Sequence, residues 1–469
     1  MIAVEFWLCC SRSGTVRILL LFFFLFFNGC IGYQTYHSVP LSSLGREGKL
    51  RARSLNALEV DVAELHHPLL PPITLSSKRG IGPDQAAVLS VLLSPKLVAE
   101  RDRRGLAQAQ LVQAGVLPNP SIGVTREFVT GGFTTGAFDP YGFNASWDVS
   151  SLVSHGAKVK AARTNVDAVS LDVAWTEWQT AEGAKLAFYR VVALETQLIR
   201  AKQIDADQQA TVTALHAAAD RHEKNVVDLA AAQAARQDSL TAVLALQQEL
   251  DQRRLALKRA IGFLPQAQLA IRYDFALPSS VSPPSEKELI ANLENQRLDL
   301  VGLRAGYQSQ EETVRAAILA QFPKVALGFT HASDNSNIHT TGFGITFDLP
   351  LFDRNQGAIA TEKATRLKLY DEYANRVFEA RSDIASALTD IRSLNQQITV
   401  AQAALPVFQR LVDTAKTAAE EGAADVLGYF QARISLNQRS LQILKLKQTL
   451  IEAKSALELA SGRYLPAEN

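Results

Sequence analysis

The sequence contains very little cysteine, with 3 cysteines in 469 residues. They are Cys9, Cys10 and Cys30, so the body of the chain has none, which excludes a disulfide framework and a thiolate metal site there. The 8 histidines form no HxxxH or HExxH group. The one adjacent pair, His66-His67, precedes Pro68 and is more simply interpreted as part of a loop than as a metal site. We therefore expect no bound metal.

The sequence also lacks an excess of either charge, with 48 Lys and Arg against 47 Asp and Glu. A nucleic-acid-binding protein needs a concentrated basic surface, so we expect no nucleic-acid partner. No glycine-rich phosphate loop, Gly-x-Ser-x-Gly elbow or pair of carboxylates in a cleft-like setting is found. These absences predict a protein that is not an enzyme and that carries no cofactor.

A continuous hydrophobic run near the N-terminus, Ile18–Phe27, follows Arg12 and Arg17. The run is too short to span a bilayer as a helix, and this arrangement is typical of a secretory signal. The run ends at Asn28-Gly29-Cys30, which resembles the end of a bacterial lipoprotein signal. Residues 1–29 are therefore predicted to be a signal peptide and Cys30 a lipidation site. Plain cleavage and an unmodified cysteine are the alternatives.

The rest of the chain repeats one pattern at an interval of about 200 residues. Gly142–Leu152 reads GFNASWDVSSL and Gly342–Leu351 reads GFGITFDLPL, and each leads into a long alanine-rich stretch. The aspartates Asp148 and Asp348 hold the same place in the two segments. A repeat of this length predicts an internal duplication, with two copies of one structural unit.

Four segments of the repeat alternate between apolar and small or polar residues, in hairpins predicted at 121–149 and 324–349. In the second segment Phe143 and Trp147 point to one side, and Asn144 points to the other. The first segment has one exception, Arg126, on its apolar side. This period of two predicts two-faced strands. Such strands suit a barrel with lipid outside and water inside, although two soluble hairpins packed on a core would give the same pattern.

Two very long helices are predicted to follow the hairpins, from Gly156 to about His222 and from Gly357 to about Glu421. At ~1.5 Å per residue each would span on the order of 95–100 Å, which exceeds the needs of a single core. Shorter return helices then end at Gly262 and Gly462, where glycine can adopt the left-handed cap conformation. The second return helix carries two apolar stripes, which predicts neighbours on both sides and hence a wall of helices.

These patterns divide the chain into six predicted parts. They are a signal peptide (1–29), an N-terminal tether (30–83), a first repeat (84–262, with long helices at 156–262), a connector (263–285), a second repeat (286–462, with long helices at 357–462) and a tail (463–469).

Several junctions resemble those of the TolC family of outer-membrane factors, over roughly residues 84–462. Asn295–Leu300 resembles the family's Arg-Pro-Asp-Leu helix start, with leucine where proline is common. Leu117–Pro120 and Phe322–Lys324 lie where the family passes from helix to strand. Leu349–Gly357 resembles its strand-to-helix junction, and Leu427–Arg433 resembles its return helix after the periplasmic tip.

The resemblance implies an α+β membrane protein that forms a homotrimer. Three chains would build a twelve-stranded outer-membrane β-barrel continuous with a long periplasmic α-helical barrel, in contact with outer-membrane lipid. The function implied is a passive exit duct for a periplasmic adaptor and an inner-membrane pump. The junction sequences favour the branch that works with RND pumps for heavy-metal cations. The alternatives are a type I secretion or multidrug duct and, in a different class, a peripheral coiled-coil scaffold.

The same resemblance points to candidate functional residues at the helical tips. Some family members narrow the periplasmic mouth with an aspartate on each return helix, and the matching positions here are Gln431 and Gln233. The mouth would then carry a less charged constriction, or these glutamines merely form hydrogen bonds between helices. Further mouth candidates are Asp425, Tyr429 and Asp228. The predicted adaptor contacts at the tips are Arg221, Lys224, Glu420, Glu421 and Gly422.

Asp148 and Asp348 form a second candidate set, at the end of the polar face of their strands. In a trimer they would supply six carboxylates, which is a plausible cation-favouring zone in the lumen. The alternative, which we favour from the sequence, is that each caps or braces the junction between strand and helix.

Overall fold

A computed structural model describes residues 36–38, 67–70, 73, 80–132, 136–273, 276–423 and 425–465. The chain divides into two units, Met1–Ser54 and Leu55–Asn469. Of the first unit only residues 36–38 are described, and they lie outside helices and strands. All the described helices and strands belong to the second unit. The predicted signal peptide, Cys30 and most of the predicted tether lie outside the described residues.

Helices and strands of the second unit follow one another in an order that is similar in its two halves. The first half contains α1 (Pro83–Leu93), α2 (Pro95–Gly115), β1 (Ser121–Arg126), β2 (Tyr141–Asp148), α3 (Ser151–Asp220) and α4 (Val226–Ile261). The second half contains α5 (Glu286–Ala291), α6 (Leu293–Gln296), α7 (Leu298–Leu319), β3 (Lys324–Ser333), β4 (His339–Asp348), α8 (Gln356–Glu420) and α9 (Val426–Ser461).

The four strands form one antiparallel sheet in the order β1-β2-β3-β4. Directly opposite residues share a face, so Trp147 beside Leu327 and Phe329 beside Phe343 belong to one side of the sheet. We call this side the apolar face; it carries Phe143, Trp147, Leu327, Phe329, Phe343, Ile345 and Phe347. Other parts of the chain cover these side chains only slightly; Phe343, for example, is 87% exposed.

The four long helices pack side by side in the order α8, α9, α3, α4. At ~1.5 Å per residue the 70 residues of α3 extend over about 105 Å. None of the helices in the described ranges combines the length and the hydropathy that a bilayer-spanning helix requires.

Two hydrophobic clusters lie where α1 and α5 pack against the long helices. The first joins α1, α3 and α4 around Phe188 and Leu257, and the second joins α5, α7, α8 and α9 around Ile384 and Leu457. Gly262 ends α4 with φ 98°, and a Cβ there would lie 2.5 Å from the carbonyl oxygen of Leu93. This close approach requires glycine and fixes the end of α4 against the end of α1.

The second half begins with three helices rather than with one continuous helix over residues 286–319. Breaks at Asn292 and Arg297 divide it into α5, α6 and α7. Arg297 adopts an extended backbone (φ −73°, ψ 113°), and its buried guanidinium bonds Asp299 at 2.6 Å and the carbonyl of Ala460 at 3.1 Å. The local bond to Asp299 and the tertiary bond to Ala460 stabilise this break, and the periodicity alone does not reveal it.

A network of buried charges joins α3 to α9 and to the chain after α9. Lys185 Nζ lies 2.8 Å from Glu458 and 3.4 Å from Glu182, and its ammonium stands 4.5 Å from the ring centroid of Tyr464. The backbone N–H of Leu465 donates to Glu458 at 2.9 Å. One lysine thus lies between two carboxylates, with Glu458 fully buried.

The environment of Glu182 disfavours its charged form. Burial, and next the negative charge of Glu458, raise the pKa of the Glu182 carboxyl to about 8, while Lys185 acts in the opposite direction. One oxygen of Glu182 also has no hydrogen-bond partner among the described residues. The folded protein therefore holds this group protonated at neutral pH.

The raised pKa predicts a loss of stability as the pH rises. The unfolded chain releases the Glu182 proton near its ordinary pKa of about 4.3, whereas the folded chain retains it to about 8. Protonated Glu182 therefore makes its full contribution to the free energy of unfolding below pH ~4, and this contribution is lost as the pH approaches 8. We expect Glu182→Gln, which keeps the shape without the charge, to raise the thermal unfolding midpoint at pH 8 more than at pH 5.

Circular dichroism melts of both proteins from pH 5 to 8.5 measure this difference. Glu195→Gln is a control, because Glu195 lies on the same helix but pairs with Arg254. An equal shift of the midpoint at pH 5 and pH 8 for Glu182→Gln would contradict the assignment.

Candidate functional site

The helical tips at the far end from the sheet are two short turns of similar geometry. α3 ends at Asp220 and α8 at Glu420, and the return helices start at Val226 and Val426. The turn residues His222 and Gly422 both have a positive φ, 59° and 71°. Because a non-glycine residue rarely adopts this conformation, His222 shows that the turn geometry is imposed at both tips.

Each return helix is capped by its preceding residue. The Asn225 side chain accepts a hydrogen bond from the backbone N–H of Asp228 at 2.8 Å, and Asp425 accepts one from Leu427 at 3.1 Å. Such caps satisfy otherwise unpaired N–H groups and contribute about 1 kcal/mol each. The mouth candidate Asp425 therefore has a local structural role as an N-cap.

The two tips contact each other through an ion pair between predicted residues. Lys224 Nζ lies 3.4 Å from Asp425 Oδ2, and both side chains are about half exposed. Two other predicted adaptor contacts form ion pairs close to themselves in the chain. Arg221 pairs with Glu223 within its own turn, and Glu420 pairs with Lys416 on its own helix. Exposed pairs of this kind contribute at most about 1 kcal/mol, so the tips are weakly joined.

A groove of about 660 Å³ lies between α3, α4 and α9 just behind the tips. Three of the predicted residues line it together, namely Lys224, Asp228 and Gln431. Gln233 does not line the groove, although it is exposed on α4. The structure therefore brings Gln431, but not its counterpart, to the cleft between the two tips.

A stronger contact between α3 and α9 lies further from the tip, at Asp207. This buried carboxylate, 3% exposed, forms an ion pair with Arg433 at 2.8 Å and accepts a hydrogen bond from Asn437 at 3.1 Å. Arg433 also donates to the Tyr429 hydroxyl at 3.3 Å, and its guanidinium lies 5.5 Å from the Tyr429 ring centroid. We call Asp207, Tyr429, Arg433 and Asn437 the α3–α9 clasp.

Burial governs the electrostatics of the clasp. Desolvation raises the pKa of the Asp207 carboxyl, and the charge of Arg433 and the amide of Asn437 oppose this rise. A buried carboxylate deprived of its cation would cost several kcal/mol, but Arg433 is partly exposed and solvent reduces that cost. Of the clasp, the sequence pointed only to Tyr429. The available signal for the rest was an aspartate in an apolar setting of α3 and an arginine four residues after Tyr429.

The lumen candidates lie at the sheet end that faces the helices. Asp148 Oδ1 accepts hydrogen bonds from the backbone N–H and the hydroxyl of Ser150, at 2.9 and 2.5 Å. Asp348 lies opposite Lys324 in the register of β3 and β4. Asp148 thus makes the bracing contact between strand and helix, and Lys324 adds a positive charge that the sequence interpretation did not consider.

Within the ranges that the structure describes, no group of three or more His, Cys, Asp or Glu side chains is arranged to hold a metal ion. The chemistry available at the tips is therefore that of hydrogen bonds and ion pairs between helices.

Comparison with known structures identifies the fold. A crystal structure of CusC has 18% sequence identity and a TM-score of 0.65, and the match covers 86% of this chain and 99% of that one. The outer membrane channel CmeC of Campylobacter jejuni has 16% identity and a TM-score of 0.65, with coverage of 92% and 94%. The chain shares the fold of these channels, in which a helical barrel adjoins a β domain.

Sequence comparisons find similarity to outer membrane efflux proteins over part of the chain. Residues 289–463 match the family model described as "Outer membrane efflux protein". The cobalt-zinc-cadmium resistance protein CzcC of Cupriavidus metallidurans is 27% identical over 191 residues, 40% of this chain and 44% of that protein. The cation efflux system protein CusC of Escherichia coli (strain K12) is 26% identical over 248 residues, 50% of this chain and 52% of that protein. The chain is therefore similar to the outer membrane efflux proteins, through a family match that covers less than half of its length. It spans about half the length of these relatives.

From the contacts of the clasp we expect that Arg433 limits local unfolding of the first turns of α9. Arg433→Met removes the charge but keeps much of the apolar stem, so the buried Asp207 loses its cation. We expect amide hydrogen exchange in residues 426–440 to quicken by about tenfold, which corresponds to about 1.4 kcal/mol. Exchange measured by mass spectrometry reports this change segment by segment.

Arg439→Met is the matched control, because Arg439 lies on the same helix but faces α8, with its guanidinium 5.5 Å from the Phe408 ring centroid. Equal acceleration by both substitutions would mean that the clasp has no special part in holding α9 to α3.

Proposed function

We propose that the protein is a passive exit duct in the outer membrane, formed by three copies of the chain. The observation that carries this proposal is the sheet. Its apolar face is exposed, with Val124 77% and Phe343 87% accessible, and β1 and β4 are its two edges. In lipid, every backbone N–H and C=O must find a partner, so open edges have to close on other strands. Three sheets of four strands close a twelve-stranded barrel with the apolar face towards lipid.

The helices support the same assembly. In the side-by-side order α8, α9, α3, α4, the outermost helices leave large apolar side chains uncovered, among them Tyr370 and Val400 on α8 and Leu244 on α4. Packing α4 of one copy against α8 of the next would cover these side chains and close a ring of twelve helices. The two halves of each chain then act as structural repeats around the ring.

The duct would catalyse nothing. Its barrel replaces about 30 Å of hydrocarbon with water, and the polar side of the strands offers Gly, Ser, Thr and Asn to that water. Asp148 and Asp348 lie at the end of this polar side, near Lys324. In a trimer they would place six carboxylates at the inner end of the barrel. The tip residues Arg221, Lys224, Glu420, Glu421 and Gly422 would contact a periplasmic adaptor, and Cys30 would carry the lipid anchor.

The partners we propose are a periplasmic adaptor and an inner-membrane RND-type pump, with heavy-metal cations as the cargo. Support comes from the relatives CzcC and CusC, which are described as a cobalt-zinc-cadmium resistance protein and a cation efflux system protein. The chain spans only about half of their length, and the match to the C. jejuni channel covers more of it. A duct for a multidrug or type I secretion system is therefore the second candidate.

Opening of the duct would occur at the tips. In the resting state, α9 is held to α3 by the clasp, and the tips are joined by Lys224 and Asp425 at 3.4 Å. An adaptor that binds the tips and pulls α8 and α9 away from α3 and α4 would break both contacts. Asp425, Tyr429, Asp228, Gln431 and Gln233 are the residues proposed to line or control the mouth.

The assembly is tested by its mass and its shape in mild detergent. Light scattering should give three times the chain mass, and projections in the electron microscope should contain a long hollow rod. A monomer or dimer without a hollow rod would contradict the duct and favour the alternative of a peripheral coiled-coil scaffold.

The constriction is tested by Gln431→Ala in planar bilayers. If Gln431 narrows the mouth, its removal should increase the conductance or open fraction of the reconstituted trimer, whereas Gln233→Ala, outside the groove, should have the smaller effect. Unchanged gating by Gln431→Ala would remove Gln431 from the mouth and favour simple hydrogen bonding between helices.

A further inference from the structure

The loop end of the apolar face carries a row of basic and aromatic residues. In the strand register Arg126 lies opposite Tyr141, Tyr141 opposite Ser333, and Ser333 opposite His339. His331 lies on β3 two residues before Ser333, on the same face and nearer to the aromatic residues of the apolar face. We call Arg126, Tyr141, His331 and His339 the loop-end row. It explains why Arg126 interrupts the apolar side of β1.

Contacts within the row hold its side chains together. The Tyr141 hydroxyl lies 3.2 Å from His339 Nδ1, and the Thr341 hydroxyl lies 2.9 Å from His331 Nδ1. The two imidazole rings are parallel within 4°, with centroids 6.3 Å apart. The side chains of Tyr141, His331 and His339 therefore form one ordered cluster on β2, β3 and β4, and Arg126 lies next to Tyr141 in the register, on β1.

The chemistry of these contacts leaves a free N–H donor on each imidazole in one of its two neutral tautomers. When the hydroxyls of Tyr141 and Thr341 donate to Nδ1, each imidazole carries its proton on Nε2 and retains that N–H as a donor. Arg126 adds a guanidinium, 66% exposed, whose ion partner is Asp139 at 3.7 Å. That pair is long and solvated, so a stronger anion can displace it. The row thus offers two N–H donors and one permanent positive charge.

The position of the row matches the edge of a bilayer. Ten residue steps separate His339 from the exposed Leu349 at the other end of the apolar face. They span about 34 Å along the strand, and about 26 Å at a tilt of about 40°, close to the apolar band of about 25 Å in outer-membrane barrels. The loop-end row therefore lies at the depth of lipid headgroups, on the side of the strand loops.

We propose that the loop-end row binds the phosphate groups of anionic lipid in the outer leaflet of the membrane. Phosphate oxygens accept charge-assisted hydrogen bonds from Arg126 and N–H donation from His331 and His339, while the acyl chains lie along Phe329 and Phe343 below. The proposal rests on the proposed membrane duct, and it assigns the lipid that the duct contacts and the residues that select it.

Lipid binding by the trimer tests the proposal. Detergent-solubilised trimers are titrated with lipid A bearing its phosphates and with dephosphorylated lipid A, and bound lipid is counted by native mass spectrometry. We expect the triple variant Arg126→Gln, His331→Gln, His339→Gln to bind phosphorylated lipid A at least tenfold more weakly than the unaltered protein. Dephosphorylated lipid A should bind both proteins alike. His331→Lys with His339→Lys should retain the preference for phosphate.

The matched control is Arg221→Gln, His222→Gln, Lys224→Gln, which removes similar groups at the helical tips and should leave lipid binding unchanged. Equal binding of phosphorylated lipid A to the triple variant and the unaltered trimer would overturn the proposal. The proposal would also be overturned if the triple variant differed from the unaltered trimer only in Zn²⁺ binding, because the two histidines would then form a cation site. Failure of the chain to form a trimer would instead count against the duct itself.

Discussion

One chain cannot satisfy its own polar and apolar surfaces, and the rest of the structure depends on this constraint. The sheet ends in two edge strands, β1 and β4, and its apolar face lies open. The helices α3 and α8 are too long for a single core, and they lie in a layer with two unfinished sides. Unpaired backbone groups are very costly in lipid, and exposed apolar side chains are costly in water; the proposed trimer in a membrane would satisfy both surfaces.

Stability is distributed unevenly along the helices. Near the middle, two hydrophobic clusters, the close approach at Gly262 and the buried ions around Lys185 hold α1, α3, α4 and α9 together. Towards the tips the contacts become fewer and more polar, with the α3–α9 clasp and then the exposed pair of Lys224 and Asp425. Regions held by a few solvated contacts open at low cost, whereas a packed core does not. The proposed duct could therefore open at its tips and keep a rigid centre.

Parts of the candidate site were accessible from the sequence because they depend on local signals. The turns at the tips are marked by Gly422 and by the caps Asn225 and Asp425, and the residues around them could be named in advance. The clasp could not, because Asp207 and Arg433 belong to helices far apart in the chain. Their meeting depends on α9 lying beside α3, and no periodicity within either helix specifies that neighbour.

The sequence by itself determined the types of the elements. Alternation with a period of two predicted two-faced strands, and long stretches with few breaks predicted the long helices, since both patterns are properties of consecutive residues. The tertiary structure alone decided which charges meet and which side chains form rows. Arg297 separates α6 from α7, and its guanidinium bonds the carbonyl of Ala460, which is distant in the chain, as well as the neighbouring Asp299. Arg126 joined Tyr141 and two histidines because strand register, and not sequence distance, sets cross-strand neighbours.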